Sequence, residues 1–169
     1  MKPIFQTKFG PKEGNCFAAC LASLLEVPLE EIDFNAGGDD WLEITNEKLR
    51  PYGYRWLEID IEHVAPKYPI HALFGQWCVF TGKSPRYECN HSVVGRCEME
   101  NGLVRFDTVH DPMPGGNGLA DPMPRLLGFF VPINPHLHLR AGDRDLAKTA
   151  GPLQQNETHE QKPQVRPKI

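Results

Sequence analysis

From Gly14 to Pro28 the chain reads GNCFAACLASLLEVP, and this run restricts the fold more than any other. Phe17, Ala18, Ala19, Cys20, Leu21, Ala22, Leu24 and Leu25 leave a helix here without a polar face. A helix that is apolar all round is normally buried on all sides. The rest of the chain must therefore surround it. The helix is expected to begin near Cys16 with Asn15 as N-cap. It should stop near Val27, because Pro28 disfavours helical backbone in the residue before it. PLEEIDF then predicts one further turn.

The material for that cover lies downstream. DWLEITNEKLRPYG reads as a second helix, with Trp41, Leu42, Ile44 and Leu49 at rough helical spacing and Gly53 ending it. YRWLEIDIE alternates and is β-rich, so it predicts a strand. HALFGQWCVFTG, HSVVGRCEM, GLVRFDTVH and RLLGFFVPI predict four more. Asn101-Gly102 in EMENGLV is a strong hairpin signal. Helices followed by a meander of strands give an α+β class: N-terminal helices, with the buried cysteine-bearing helix packed on an antiparallel β-sheet.

The chain has 169 residues, enough for one domain and little more. Residues 1–139 are expected to form it. From Arg140 large apolar residues become scarce, and residues 140–169 are expected to be a disordered polar tail. That tail carries six basic and four acidic residues, so the body is more acidic than the net charge of -4. Such a balance argues against nucleic-acid binding, which favours a basic surface. No segment approaches the ~20 apolar residues of a membrane span, and MKPIFQTKFGPKEG lacks the apolar stretch of a signal peptide. Five cysteines, an odd number, imply reduced thiols in a cytoplasm rather than a disulfide framework.

Cys16 is the first candidate for chemistry. A thiol at a helix N-terminus feels the positive end of the dipole, which favours the nucleophilic thiolate. The bland alternative, a small buried hydrophobe, fits Cys20 one turn deeper. His91 is the second candidate. It starts the strand HSVVG, far along the chain, as the base of a cysteine nucleophile should be; the alternative is a surface histidine. The third is an orienting carboxylate, either Asp107 or Asp111. With Asn101-Gly102 as a two-residue loop, Ser92 faces Asp111 and Arg96 faces Asp107, an ordinary cross-strand ion pair. With a three-residue loop, His91 faces Asp111 directly. In either register Asp107 lies roughly 13 Å further along at strand rise, so Asp111 is the better partner. For the oxyanion, Gln6, Asn15 and the Cys16 backbone N–H are the candidate donors.

GNC opening an apolar helix, HSVV on a later strand and Asp-Pro after the next strand together resemble the papain-like cysteine peptidase superfamily. The similarity is strongest to double-glycine leader peptidases and to small phage and bacterial proteins with the same arrangement. Ser84-Pro85-Arg86 before the histidine and His110-Asp111-Pro112 belong to that likeness, which spans about residues 4 to 133. It implies a papain-like fold with Cys16 as nucleophile, His91 as base, Asp111 as orienter and Gln6 as oxyanion-hole amide. Gln6 lies ten residues before Cys16, so FGPKEG must bulge outward; otherwise Asn15 takes its place.

The expected function is thus hydrolysis of a peptide or isopeptide amide in a peptide or protein substrate, without a cofactor and with neither nucleic acid nor membrane as partner. Acyl transfer to amines on the same triad is one alternative, and a catalytically silent binding module is another. A metal protein is a third: Cys89, His91, Cys97, His110, His136 and His138 are soft ligands, but no C-x-x-C pair gives zinc spacing.

Overall fold

The structure is a computed structural model, and it describes residues 1–61, 75–101 and 103–134. The expected tail, His136, His138 and the HALF start of the second strand segment lie outside the described residues. Three helices come first: α1 (Cys16–Leu25), α2 (Leu29–Ile32) and α3 (Trp41–Leu49). A single 3₁₀ turn, Arg50–Tyr52, follows α3. Five strands complete the order: β1 (Tyr54–Asp60), β2 (Trp77–Lys83), β3 (Asn90–Glu100), β4 (Leu103–His110) and β5 (Leu126–Pro132). The class is α+β with an antiparallel sheet.

Helix α1 is buried as its composition demands, with Ala18, Ala19, Cys20, Leu21 and Ala22 fully enclosed. It ends at Leu25, two residues before Val27. Glu26 turns into the left-handed region at φ 57° and its N–H caps the carbonyl of Ala22. α1 packs on β3 and β2, and α3 covers β1. Phe17 is the hinge of this layer: the rings of Phe34, Trp41 and Trp56 meet it edge-on at 5.8, 5.9 and 5.1 Å. Trp56 lies so close over β5 that a Cβ at Gly128 would overlap its ring. Phe80, Val93, Cys97 and Leu127 form a second cluster, reached by the side chains that alternate to the other face of the strands. In α3, Thr45 and Leu49 are the buried positions and Leu42 is exposed.

The strands are not a simple meander. β2, β3 and β4 follow one another, but β5 enters between β1 and β2, giving the order β1-β5-β2-β3-β4. Leu127, Gly128 and Phe129 are buried in succession, which suits a strand paired on both edges. The β3–β4 hairpin pairs Glu100 with Leu103, with Asn101 at φ 53° in the connection. This is the two-residue loop. A bulge between Val94 and Gly95 then shifts the register by one, so that Val94 pairs with His110. Arg96 does pair with Asp107 in register, but the expected ion pair is not made. Asp107 binds Arg105 two residues earlier on its own strand, and Arg96 binds Glu98. Residues two apart share a face of a strand, so these pairs need no partner across the sheet. No described helix is long and apolar enough to cross a membrane.

Candidate active site

Cys16 is the first residue of α1, half-buried, where the helix's free N–H groups gather. Burial opposes its ionisation, but the bond and charge of His91 outweigh burial. The backbone N–H groups of Ser92 and Phe17 add to them, and the thiol's pKa falls below its ordinary value. Cys20, one turn on, is fully enclosed, and burial with the Cys16 charge drives its pKa well up.

His91 is the second residue of β3 and is buried. Its Nε2 lies 2.8 Å from Oδ1 of Asp111, so Nδ1 is the nitrogen left to face Cys16. Burial alone would lower the imidazole's pKa. Bonds to Asp111 and Cys16, and the charges of both, push it up to about 9. Thiolate and imidazolium thus stabilise each other, the arrangement that activates a cysteine nucleophile.

Asp111 follows β4 and begins a tight loop. Its Oδ1 also accepts the Met113 N–H at 2.8 Å, and its Oδ2 accepts the Gly118 N–H at 2.8 Å. Burial acts to raise its pKa, and His91 with these two N–H groups holds it below the usual carboxylate range. A Cβ at Gly116 would overlap this carboxylate, so glycine there is what leaves room for it. Asp107 is remote from this arrangement and is held by Arg105 at 2.5 and 2.7 Å.

Gln6 is buried and faces the same cleft as Cys16 and His91. Two bonds pin its segment to the end of β4: His110 Nε2 donates to the Ile4 carbonyl at 2.9 Å, and the Gln6 N–H donates to the Pro112 carbonyl at 2.9 Å. The loop between Gln6 and Cys16 does bulge. Gly14 N–H closes on the Gly10 carbonyl and Asn15 N–H on the Lys8 carbonyl, leaving Pro11, Lys12 and Glu13 exposed. One Gln6 amide N–H holds the Lys8 carbonyl at 2.9 Å, and Oε1 is buried without a partner.

Asn15 has another task. It does not cap α1 with its side chain. Its Oδ1 accepts the N–H groups of Thr7 and Lys8, while Nδ2 donates to Thr7 Oγ1 and Asp33 Oδ1. Both Nδ2 hydrogens are thereby used, which leaves Gln6 and the Cys16 N–H as the candidate oxyanion donors.

Comparison with protein-family models, with curated proteins and with solved structures found no match.

The cleft spans about 300 Å³ including its open mouth. Its far lip is the loop from Ser84 to Cys89, which sequence reasoning had not assigned to the site from residue chemistry. Ser84 is buried; its hydroxyl accepts the N–H groups of Arg86 and Tyr87, and its own N–H holds the Cys89 carbonyl. The signal was present: a serine two and three residues before the N–H groups it bonds is a local turn former. The glycine-rich run Gly115-Gly116-Asn117-Gly118 was the matching signal for the loop that grips Asp111. Among the described residues no group of three or more His, Cys, Asp or Glu is placed to hold a metal ion.

Proposed function

We propose that the chain is a thiol hydrolase that cleaves a peptide or isopeptide amide through Cys16, His91 and Asp111, on a papain-like arrangement of one helix and a sheet. The observation that carries this reading is the convergence of three elements on one cleft: the start of α1, the start of β3 and the loop after β4. Each contributes one member of a thiolate–imidazolium–carboxylate chain.

In this mechanism the Cys16 Sγ attacks the amide carbon and the C=O pair moves onto oxygen. The developing oxyanion takes hydrogen bonds from Gln6 Nε2 and the Cys16 N–H, donors already in place before charge develops. His91 Nδ1–H gives its proton to the leaving nitrogen as the C–N bond breaks, which leaves a thioester. Water then attacks the thioester carbon while Nδ1 takes its proton. The C–S bond breaks and the thiolate returns. Asp111 keeps the ring oriented and stabilises its cationic form throughout. A cytoplasmic setting belongs to the same reading: all five cysteines are free, and the mechanism needs Cys16 as a free thiolate.

The test is intact-mass labelling with an electrophilic peptide probe, followed by mapping of the modified cysteine. One adduct, on Cys16, lost in Cys16→Ser and slowed in His91→Ala, is the expected result. Adducts spread slowly over all five cysteines would leave the fold intact and end the enzyme reading.

A further inference from the structure

The cleft's lining is poor in charge. Apart from the Cys16–His91 pair, Arg86 is the one charged residue among the described residues that line it. No acidic side chain lines it, although the chain as a whole carries a net charge of -4. Arg86 has no carboxylate partner among the described residues. Among the described residues its guanidinium makes one hydrogen bond, a long one, from Nη2 to the Gly115 carbonyl at 3.4 Å. An arginine carries five donors in a rigid fork that matches a carboxylate. Here most of that fork is unspent, and it stands at the mouth of a nucleophile's cleft.

The backbone that presents Arg86 is well fixed. Ser84 Oγ holds the N–H groups of Arg86 and Tyr87 at 3.2 Å each, and the Cys89 N–H closes on the Tyr87 carbonyl at 2.8 Å. The guanidinium reaches from this lip toward Gly115, in the loop that also holds Asp111. It therefore reaches from one of the two loops that line the cleft to the other. Tyr87, 40% exposed, and Met113 add apolar surface beside it.

We propose that Arg86 determines the specificity of this cleft by binding a carboxylate of the substrate close to the bond that Cys16 attacks. The substrate class is then a peptide that carries an acidic side chain, or its own terminal carboxylate, next to the scissile amide. This rests on the thiol-hydrolase reading above. A fixed positive charge in a cleft with low-dielectric walls raises the local concentration of such groups and rejects cationic ones.

Three chloroacetyl probes of equal size test it on the full chain, with adducts mapped by residue: chloroacetyl-Gln amide, chloroacetyl-Glu amide and chloroacetyl-Gln free acid. With wild-type protein at low ionic strength, at least one anionic probe should modify Cys16 at least about threefold faster than the neutral one. A faster Glu amide identifies a side-chain carboxylate as the ligand, and a faster free acid identifies the terminal one. Arg86→Gln should slow the anionic probes to the neutral probe's rate, and Arg86→Glu should invert the order. Lys12→Gln, on the neighbouring exposed loop, should keep the wild-type preference. Equal rates of all three probes at Cys16, or a preference that survives Arg86→Gln, would overturn the assignment and leave the thiolate chemistry standing. If no probe modifies Cys16 faster than the other cysteines, the hydrolase reading falls, and this one with it.

Discussion

Nε2 of His91 and Oδ1 of Asp111 lie 2.8 Å apart, with side chains only 6% and 5% exposed. A charged pair so enclosed is strongly sensitive to loss of one partner, because the other is left uncompensated. Asp107, by contrast, bonds an exposed arginine on the surface.

Asp111→Ala is therefore expected to lower turnover by about tenfold or more, in the range of general acid–base effects, and Asp107→Ala to leave it within about twofold. Stability should follow pH in a defined way. His91 is raised to about 9, above its unfolded value of ~6.5. Its contribution is complete below the unfolded value and is lost as pH rises through about 9. Asp111 is lowered, so its contribution is present above ~3.9 and is lost as pH falls through its lower folded value. The Tm deficit of Asp111→Ala should be largest between these limits and shrink toward pH 10. A deficit that grows with alkaline pH would contradict the pairing.

Gly116→Ala is expected to inactivate without unfolding. The added Cβ takes space that the Asp111 carboxylate occupies, and three hydrogen bonds hold that carboxylate where it is. The carboxylate must shift, and His91 loses its orientation. Gly115→Ala is the control: φ is +67° but a Cβ there meets nothing, so it costs about 1 kcal/mol of backbone strain and little activity. Equal activity losses in the two variants would mean that Gly116 matters only for backbone shape.

The Cys16–His91–Asp111 relation was legible in the sequence to an unusual degree, and for identifiable reasons. An apolar helix opened by Gly14-Asn15 puts one cysteine at its edge and hides the next. Asn101-Gly102 places the end of β4 beside the start of β3, which separates Asp111 from Asp107 under either loop length. Its register was legible only in part, because the bulge at Val94/Gly95 follows from packing rather than from a local signal. Strand order was hidden as well: nothing within RLLGFFVPI says which two strands it pairs with. Asn15 has the right type and position for a cap, but its side chain serves Thr7, Lys8 and Asp33 instead. Those partners come from outside the helix, so no helix rule reveals them.

Gln6 and Asn15 are expected to fail in different ways. Gln6→Ala removes the proposed oxyanion donor and should cost on the order of 10² to 10³ in kcat, while alkylation of Cys16 by iodoacetamide, which builds no oxyanion, continues. Asn15→Ala strips partners from buried groups of the N-terminal segment and should lower stability by about 2 kcal/mol or more. Thermal melts and kinetics on both variants check this. A Gln6→Ala enzyme with unaltered kcat would assign the oxyanion to backbone donors alone.

The reactivity of Cys16 gives the sharpest test of the whole site. An unperturbed thiol titrates near ~8.5 and is almost inert toward iodoacetamide at pH 6. Cys16 is lowered, chiefly by His91 acting against burial, whereas burial raises Cys20 and Cys89 and holds Cys20 out of reach. Cys78 and Cys97 are enclosed beneath the sheet. Cys16 should therefore alkylate first at pH 6, ahead of Cys20, Cys78, Cys89 and Cys97, and His91→Ala should slow it there by removing the imidazolium. Above about 9, where His91 loses its proton, alkylation should persist because the thiolate remains. Amide turnover should decline over the same range, because the leaving nitrogen no longer finds an acid. Site-resolved mass spectrometry against time, run beside turnover at the same pH values, separates the two limbs. Fast labelling of Cys16 that ignores His91→Ala would keep a reactive thiol and break the pair; turnover that persists above pH 9 alongside labelling would place the essential acid elsewhere.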